Sequence, residues 1–561
     1  MKKKWVVHPE LDKAGSIARD LRIHPAIAKI LLRRGFAELS EISRFLSPSH
    51  ESLEDPFVFT DMKKSVERIR LAVSRKERML VYGDYDVDGI TGSSILYPAL
   101  KRIGAVVDVH IPHRMNEGYG LNLESLETLL KKDYTVVITV DNGITGVEQI
   151  QFLTDRGVDV IIVDHHTPKD ELPPAFAILC AHSGEKKGDP HLAACGLAFK
   201  LAWALLGSYA AVEEYLDLVA LGTIADIAPV LGDNRILLKK GLKLLACTKR
   251  PGIRALMEVA RISPHTVSYR DIAFGFGPRI NAAGRMGSPL NAFKLLTTDD
   301  SAEAKELAAL LDRGNKDRQK LEAEAFLEAA ETAEALLAEN ADAVIILENP
   351  GWHEGILGIV AARLVERFHK PSIVISMKNG MGKGSGRSIP GFSIFEAVRP
   401  YEEMLENFGG HAQAIGMTIK EGRVSEFRRR VNDGAKSNDF LDLKPELLIE
   451  SEIAFAELNM EFLKDLNKLE PFGPGNPKPY FLSKGLRIRG EARKRGKDTL
   501  HCWLTDPKGM TTCEAVGFRM YERWSSADKT PVFDAVYRPA LVEFHGIAHI
   551  QLELEDWRNS D

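Results

Sequence analysis

The 561-residue chain is poor in cysteine, and its five thiols (Cys180, Cys195, Cys247, Cys502 and Cys513) are scattered, odd in number and without a C-x-x-C pair. That argues against a disulfide framework and a structural zinc site, and fits a reducing compartment. No apolar run reaches transmembrane length, and the basic start Met1-Lys2-Lys3-Lys4-Trp5 lacks the apolar stretch of a signal peptide, so the expected location is the cytoplasm. An excess of positive charge is also missing: the net charge is −5 and the isoelectric point about 6.4. Bulk charge therefore cannot hold the protein on nucleic acid, and any such binding falls to local patches. With 44% hydrophobic and 27% charged residues and no long low-complexity segment, the chain has the composition of folded protein, in a length that suits three or four domains.

What is present is organised around Val81-Tyr82-Gly83-Asp84-Tyr85-Asp86-Val87-Asp88-Gly89-Ile90-Thr91-Gly92, three carboxylates at alternate positions after an apolar run. In extended chain, alternate residues share a face, so the spacing predicts that Asp84, Asp86 and Asp88 converge. Three like charges together cost several kcal/mol unless a cation sits among them, which makes this half of a metal site. The glycines allow a tight turn into a helix whose N-terminus favours anions, so phosphate chemistry is expected.

From residue 79 to 179, strand-like runs alternate with helical ones, the pattern of a doubly wound parallel α/β sheet. Three of the runs end in polar clusters: Asp84-x-Asp86-x-Asp88, Asp141-Asn142-Gly143 and Asp164-His165-His166. Ligands of such sheets lie beyond the carboxyl ends of the strands. A fourth acid, Asp226, follows in Gly222-Thr223-Ile224-Ala225-Asp226, and Gly277-Pro278-Arg279-Ile280-Asn281-Ala282-Ala283-Gly284-Arg285 reads as a glycine-punctuated turn suited to an anion.

The expected domains are a helical segment (1–50), a catalytic α/β domain (51–297), a helical connector (298–340), a smaller α/β domain (341–440) and a C-terminal OB-like β-barrel (445–561). In the smaller domain, Gly382-Lys383-Gly384-Ser385-Gly386-Arg387 reads as a phosphate nest, with Phe408-Gly409-Gly410-His411 close behind. The barrel carries a basic run between Lys484 and Lys497, including Arg493, Lys494 and Arg495, placed to follow a single strand.

Asp86, Asp88, Asp141, His165 and Asp226 form a hard oxygen-rich donor set suited to two Mn²⁺ or Mg²⁺ ions about 3.5–4 Å apart. His166 is then positioned to polarise a phosphate or protonate a leaving oxygen.

The four ordered clusters resemble the motifs of the DHH phosphoesterase superfamily, and the Gly-Lys-Gly-Ser-Gly-Arg and Phe-Gly-Gly-His stretches resemble its associated second domain. Within it, the barrel and overall length are most similar to the bacterial single-strand-specific DNA exonucleases. The resemblance implies release of 5′-mononucleotides from the 5′ end in recombination and repair. It implies that Asp86, Asp88, Asp141, His165 and Asp226 hold metal, with Asp141 bridging, that His166 is catalytic, and that Asp84 is a ligand or an acid just outside the set. It assigns Arg114, Arg279, Ser385 and Arg387 to a 5′-phosphate, and Asn281, His411 and the basic run to the strand. It brings in single-stranded DNA as substrate, with single-strand-binding protein and a RecQ-type helicase as partners and no membrane. Two readings compete: a nano-RNase of the same superfamily, against which the barrel argues, and a non-catalytic replication scaffold, against which the filled ligand positions argue.

Overall fold

The computed structural model describes residues 3–560 apart from residues 10, 115–116, 119, 184–187, 341, 436–445, 527–531 and 545–546; the expected break between 440 and 445 lies outside the described residues. Five parallel strands form the first sheet in the order Val106–His110, Arg78–Gly83, Tyr134–Val140, Asp159–Val163, Ala177–Leu179. Both faces are covered, which is why these strands read as continuous apolar runs. Met79, Val81, Ile138 and Val163 face one helical layer, while Leu80, Tyr82, Val137 and Ile162 face the other. The chain reverses direction across the sheet between strands Arg78–Gly83 and Tyr134–Val140, so Asp84 and Asp141 follow the strands flanking the switch point.

The three alternating acids converge by a different route from the one their spacing predicts. The strand stops at Gly83, the chain turns, and Asp86 caps the helix Val87–Arg102, leaving Asp88 in its first turn. The turn closes tightly over Gly89, where a Cβ would lie 2.5–2.7 Å from the backbone of Asp84. Only glycine permits that approach.

The expected helical connector is a single helix, Ser301–Asn340, that joins the lobes. Its first half inserts Ala304, Ala308 and Leu311 into the catalytic core, and its second half inserts Ala325, Ala329, Ala330 and Ala333 into the core of the smaller domain. That domain is a mixed sheet in the order Leu405–His411, Ala414–Lys420, Met381–Arg387, Ser372–Lys378, Ile345–Asn349. The expected phosphate nest is therefore an ordinary inner strand. Gly382, Gly384 and Gly386 leave room for Ile375, Met417 and Ile415, and Ser385 and Arg387 emerge on the opposite face. Likewise the expected turn at Gly277 is a helix, Gly277–Met286.

The C-terminal domain is a curled seven-stranded sheet, with an added pairing of Arg487 and Ile488 to Thr505 and Leu504 that brings its ends together. The N-terminal helices dock there. Ile27, Ile30, Leu31 and Ile42 share one core with Phe462, Phe481, Leu504 and Tyr537, and Lys4–Val7 pairs in parallel with Glu446–Ile449. The buried Arg235 fastens this unit to the catalytic domain by donating to the carbonyls of Phe45, Lys468, Leu469 and Glu470 at 2.9–3.0 Å. Among the described residues, no helix is long and apolar enough to cross a membrane.

Candidate metal centre

Three of the acids are held by backbone amides, Asp86 by those of its own helix and Asp88 and Asp164 by those of neighbouring segments. Asp86 Oδ1 accepts the amides of Asp88 and Gly89 at 2.9 and 3.2 Å, the ordinary service of a helix cap. Asp88 accepts the amides of Ala194 and Cys195 at 2.7 and 2.9 Å, from the start of the helix Ala194–Leu206. Asp141, directly after its strand, takes a left-handed backbone with φ of 66°. Asp164 receives the Ile144 amide on Oδ2 at 3.0 Å and the His166 imidazole, through Nδ1, on Oδ1 at 2.7 Å. Asp226 caps the C-terminal end of the helix Leu216–Ala225.

These contributions meet. His165 Nε2 lies 3.3 Å from Asp141 Oδ1, 3.7 Å from Asp226 Oδ2 and 3.9 Å from Asp88 Oδ2. Among the described residues, three groups have ligand atoms mutually within 4.8 Å: Asp84–Asp86–Asp141, Asp88–His165–Asp226 and Asp141–His165–His166. Asp141 stands in two of them, between a carboxylate cluster and a mixed one. Tyr82, which precedes the acids, packs into the opposite layer with its hydroxyl 3.4 Å from the Gly120 carbonyl.

Burial and mutual repulsion push the carboxyls of Asp84 and Asp141 well up, and burial raises Asp88. Burial, then Asp88 and Asp86, push Asp226 up to about 8. Burial pulls the His165 imidazole down toward its neutral, ligating form. Burial also opposes protonation of His166, but the hydrogen bond and charge of Asp164 outweigh it and push it up to about 9. The arrangement fits divalent cations. Oδ1 of Asp84 and Oδ1 of Asp141 are buried without a hydrogen-bond partner, and the carboxylates repel unless positive charge enters among them. Hard oxygens with one imidazole suit Mn²⁺ or Mg²⁺.

A cleft of about 620 Å³ opens beside the centre, with Asn142, Asp164, His166 and Thr167 on one wall and Gly410 and His411 on the other. The structure thus brings His411 across from His166. A second feature, positively charged, adjoins the acids. Arg114 stacks on the Tyr85 ring at 5.3 Å, draws the Asp84 carboxyl down and shares a repulsive field with Arg285 and Arg387. Ser385 Oγ receives Arg387 Nη1 at 3.2 Å, and both side chains approach Gly358 in the first turn of the helix Leu357–Phe368.

Arg279 stands apart from that field. Its guanidinium is engaged by Asp312 at 2.9 Å and by the Gly275 carbonyl at 2.8 Å, on the flank facing the long helix. The arginine joining Arg114 and Arg387 is Arg285, six residues on, pulled down to about 10 by burial and by Arg114 and Arg318. The sequence segment holds both arginines, and the resemblance assigned Arg279 rather than Arg285 to the phosphate, because without the helix nothing distinguishes the faces on which they lie. Arg318 gave no signal, being one of many charged residues on the long helix. Asn281 is half-buried on the helix that carries both arginines, and Arg493, Lys494 and Arg495 occupy an exposed strand of the C-terminal sheet.

Carboxylates and imidazoles gathered at the switch point of a parallel sheet, beside an arginine-rich pocket, define a divalent-metal phosphoesterase. Comparison with known proteins specifies which kind. Residues 78–223 match the DHH family N-terminal domain, 341–437 the DHHA1 domain and 449–556 the RecJ OB domain. The chain is 36% identical to the single-stranded-DNA-specific exonuclease RecJ of Bacillus subtilis over 93% of its own length and 66% of that protein's, just under two thirds. It is 31% identical to the Haemophilus influenzae RecJ, with 98% of each chain covered. The crystal structure of Thermus thermophilus RecJ with Mn²⁺ superposes with a TM-score of 0.84 at 30% identity, covering 100% of this chain and 80% of that one; the same protein with Mg²⁺ gives 0.76 at 29%, covering 100% and 79%. The chain belongs to the RecJ family of single-stranded-DNA-specific exonucleases.

Proposed function

We propose that the protein digests single-stranded DNA from its 5′ end, releasing 5′-mononucleotides, in recombination and repair in the cytoplasm. The observation that carries the polarity is the position of Arg114, whose charge is felt both by Asp84 in the acidic centre and by Arg387 in the pocket beside it. A terminal phosphate anchored by Arg114, Arg285, Ser385 and Arg387 fixes which phosphodiester reaches the centre, so direction follows from distance. Arg285 takes the place that sequence assigned to Arg279.

Asp86, Asp88, Asp141, His165 and Asp226 would hold two divalent ions, Asp141 between them, with Asp84 beside the cluster. Ions held by these residues would supply positive charge to offset that of the phosphodiester and would lower the pKa of an attacking water. Asp164 holds the His166 imidazole by Nδ1 and orients it as the proton donor to the departing oxygen. His411 closes the cleft over the nucleotide, and the strand continues past Asn281 toward Arg493, Lys494 and Arg495. Resemblance adds single-strand-binding protein and a RecQ-type helicase as partners.

A time course with Mn²⁺ on a long single strand, labelled at the 5′ or the 3′ end, tests this. Immediate release of labelled mononucleotide from the 5′ end, with gradual shortening of the 3′-labelled strand, is expected. Hydrolysis of dinucleotides alone would transfer the chain to a nano-RNase activity, and inertness to both to a scaffold.

A further inference from the structure

The helix that delivers Asp226 ends in an arrangement that stability alone does not explain. Ala228 donates to the Thr223 carbonyl at 3.1 Å and Ile227 to Ile224 at 3.2 Å, so Ile227 occupies the closing position of a helix terminus where glycine is usual. Its φ is 61°, left-handed backbone that a β-branched residue adopts only under strain. The strain gains no core packing, because the side chain is 68% exposed.

A second large apolar side chain is exposed on the adjoining element. Residues Ile272–Phe276 form a π-helical turn leading into the helix Gly277–Met286, an irregularity frequent at functional sites. The turn buries Ile272 and Phe276 and leaves Phe274 75% exposed, with the Arg270 guanidinium 6.0 Å from its ring centroid. It packs on the helix bearing Asp226: a Cβ on Gly277 would stand 3.5 Å from Ala225 Cβ. Immediately beyond, Val230 donates to Pro474 at 2.8 Å and Tyr269 abuts Gly473, both on the approach to the C-terminal domain. Ile227 directly follows Asp226, and the turn that carries Phe274 packs on the helix ending there, next to the contacts with the C-terminal domain.

We propose that Ile227 and Phe274 form an apolar step on which unpaired bases of the strand stack after leaving the metal centre, with Arg270 beside the ring for a phosphate. The proposal rests on the single-strand exonuclease reading above. An aromatic face accepts any base and needs that base unpaired, so the step favours single strands without reading sequence. The left-handed backbone at Ile227 turns its side chain outward, to the surface those bases meet.

The test compares the wild type with Phe274→Ala, Phe274→Trp and Ile227→Gly on 5′-phosphorylated single strands, either intact or abasic at the nucleotides following the scissile phosphodiester. Phe274→Ala is expected to raise KM on the intact strand by about tenfold, and Phe274→Trp to restore it. Abasic sites should cost the wild type a similar factor while adding nothing to the defect of Phe274→Ala. Ile227→Gly should raise both KM and Tm, since it removes the contact and the strain together. Wild-type KM in both Phe274→Ala and Ile227→Gly, or abasic sites raising the KM of Phe274→Ala by the same factor as that of the wild type, would overturn the step. Failure of the wild type to digest intact strands would instead remove the exonuclease reading beneath it.

Discussion

His166 Nδ1 lies 2.7 Å from Asp164 Oδ1, and this contact outweighs burial to push the imidazole pKa up to about 9. Asp164 is itself held by the Ile144 amide, so the pair is oriented by the backbone of the neighbouring strand end. Asp164→Asn is expected to lower kcat by about 10²-fold or more and to move the alkaline limb of the pH–rate profile downward, because the neutral amide stops favouring the imidazolium. A profile with an unmoved alkaline limb would detach proton donation from His166.

Asp141→Asn keeps a side chain that tolerates left-handed backbone while removing the charge. Cleavage should fall by at least about 10³-fold and the rise in Tm on adding Mn²⁺ should shrink, while the metal-free Tm holds or increases as like-charge repulsion is relieved. Retained cleavage would place the centre elsewhere.

Metal-free protein should lose stability as pH rises from about 4 to 8. Asp226 has its folded-state pKa raised to about 8 from an ordinary 3.8, so in this window the native state binds more protons than the unfolded one and each step upward favours unfolding. Mn²⁺ should offset that loss increasingly toward pH 8, with release of protons on binding. Thermal melts against pH with Mn²⁺ or with a chelator measure both; identical pH slopes in the two would contradict the assignment.

Gly358→Ala would put a Cβ 2.8 Å from Arg387 Nη2 and 3.1 Å from Ser385 Oγ. Both neighbours are ends of flexible side chains, so the fold should survive while the pocket is displaced. Preference for 5′-phosphorylated over 5′-hydroxyl strands should drop by about tenfold, as it should in Arg285→Ala and Arg387→Ala. Arg279→Ala, in contrast, should lower Tm through loss of the Asp312 ion pair and leave the preference intact. Competition between the two kinds of strand reads this directly.

Removal of residues after 445 should expose the apolar faces of Ile27, Ile30 and Leu31 and cause aggregation, whereas removing residues 1–47 together with the C-terminal domain should give better-behaved protein. The latter is expected to bind long strands more weakly and with a flatter salt dependence. Equal solubility of the two truncations would show that the N-terminal helices do not depend on that core.

Local rules made much of this legible in advance. Apolar runs with polar ends located the strands and their acids, because a strand buried on both faces leaves polar residues only at its ends. They failed where geometry changes within a few residues. Asp84, Asp86 and Asp88 were expected to share a strand face, but a turn and a helix cap bring them together instead. The glycine-rich stretches at 277 and 382 looked like loops, yet facing side chains from other segments fill the space beside many of their glycines and hold them in a helix and a strand.

The sequence by itself determined the chemistry: acids and histidines next to glycines at strand ends, a donor set whose charge requires divalent cations. Tertiary structure decided which arginines gather beside the acidic centre and which domains share a core. Arg279 and Arg285 are six residues apart on one helix, so they point roughly 120° apart around its axis. Docking of that helix pairs Arg279 with Asp312 on one side and brings Arg285 into the Arg114 field on the other. The union of residues 4–46 with the C-terminal domain is of the same kind, since the apolar faces carry no label of their partner until the whole chain has folded.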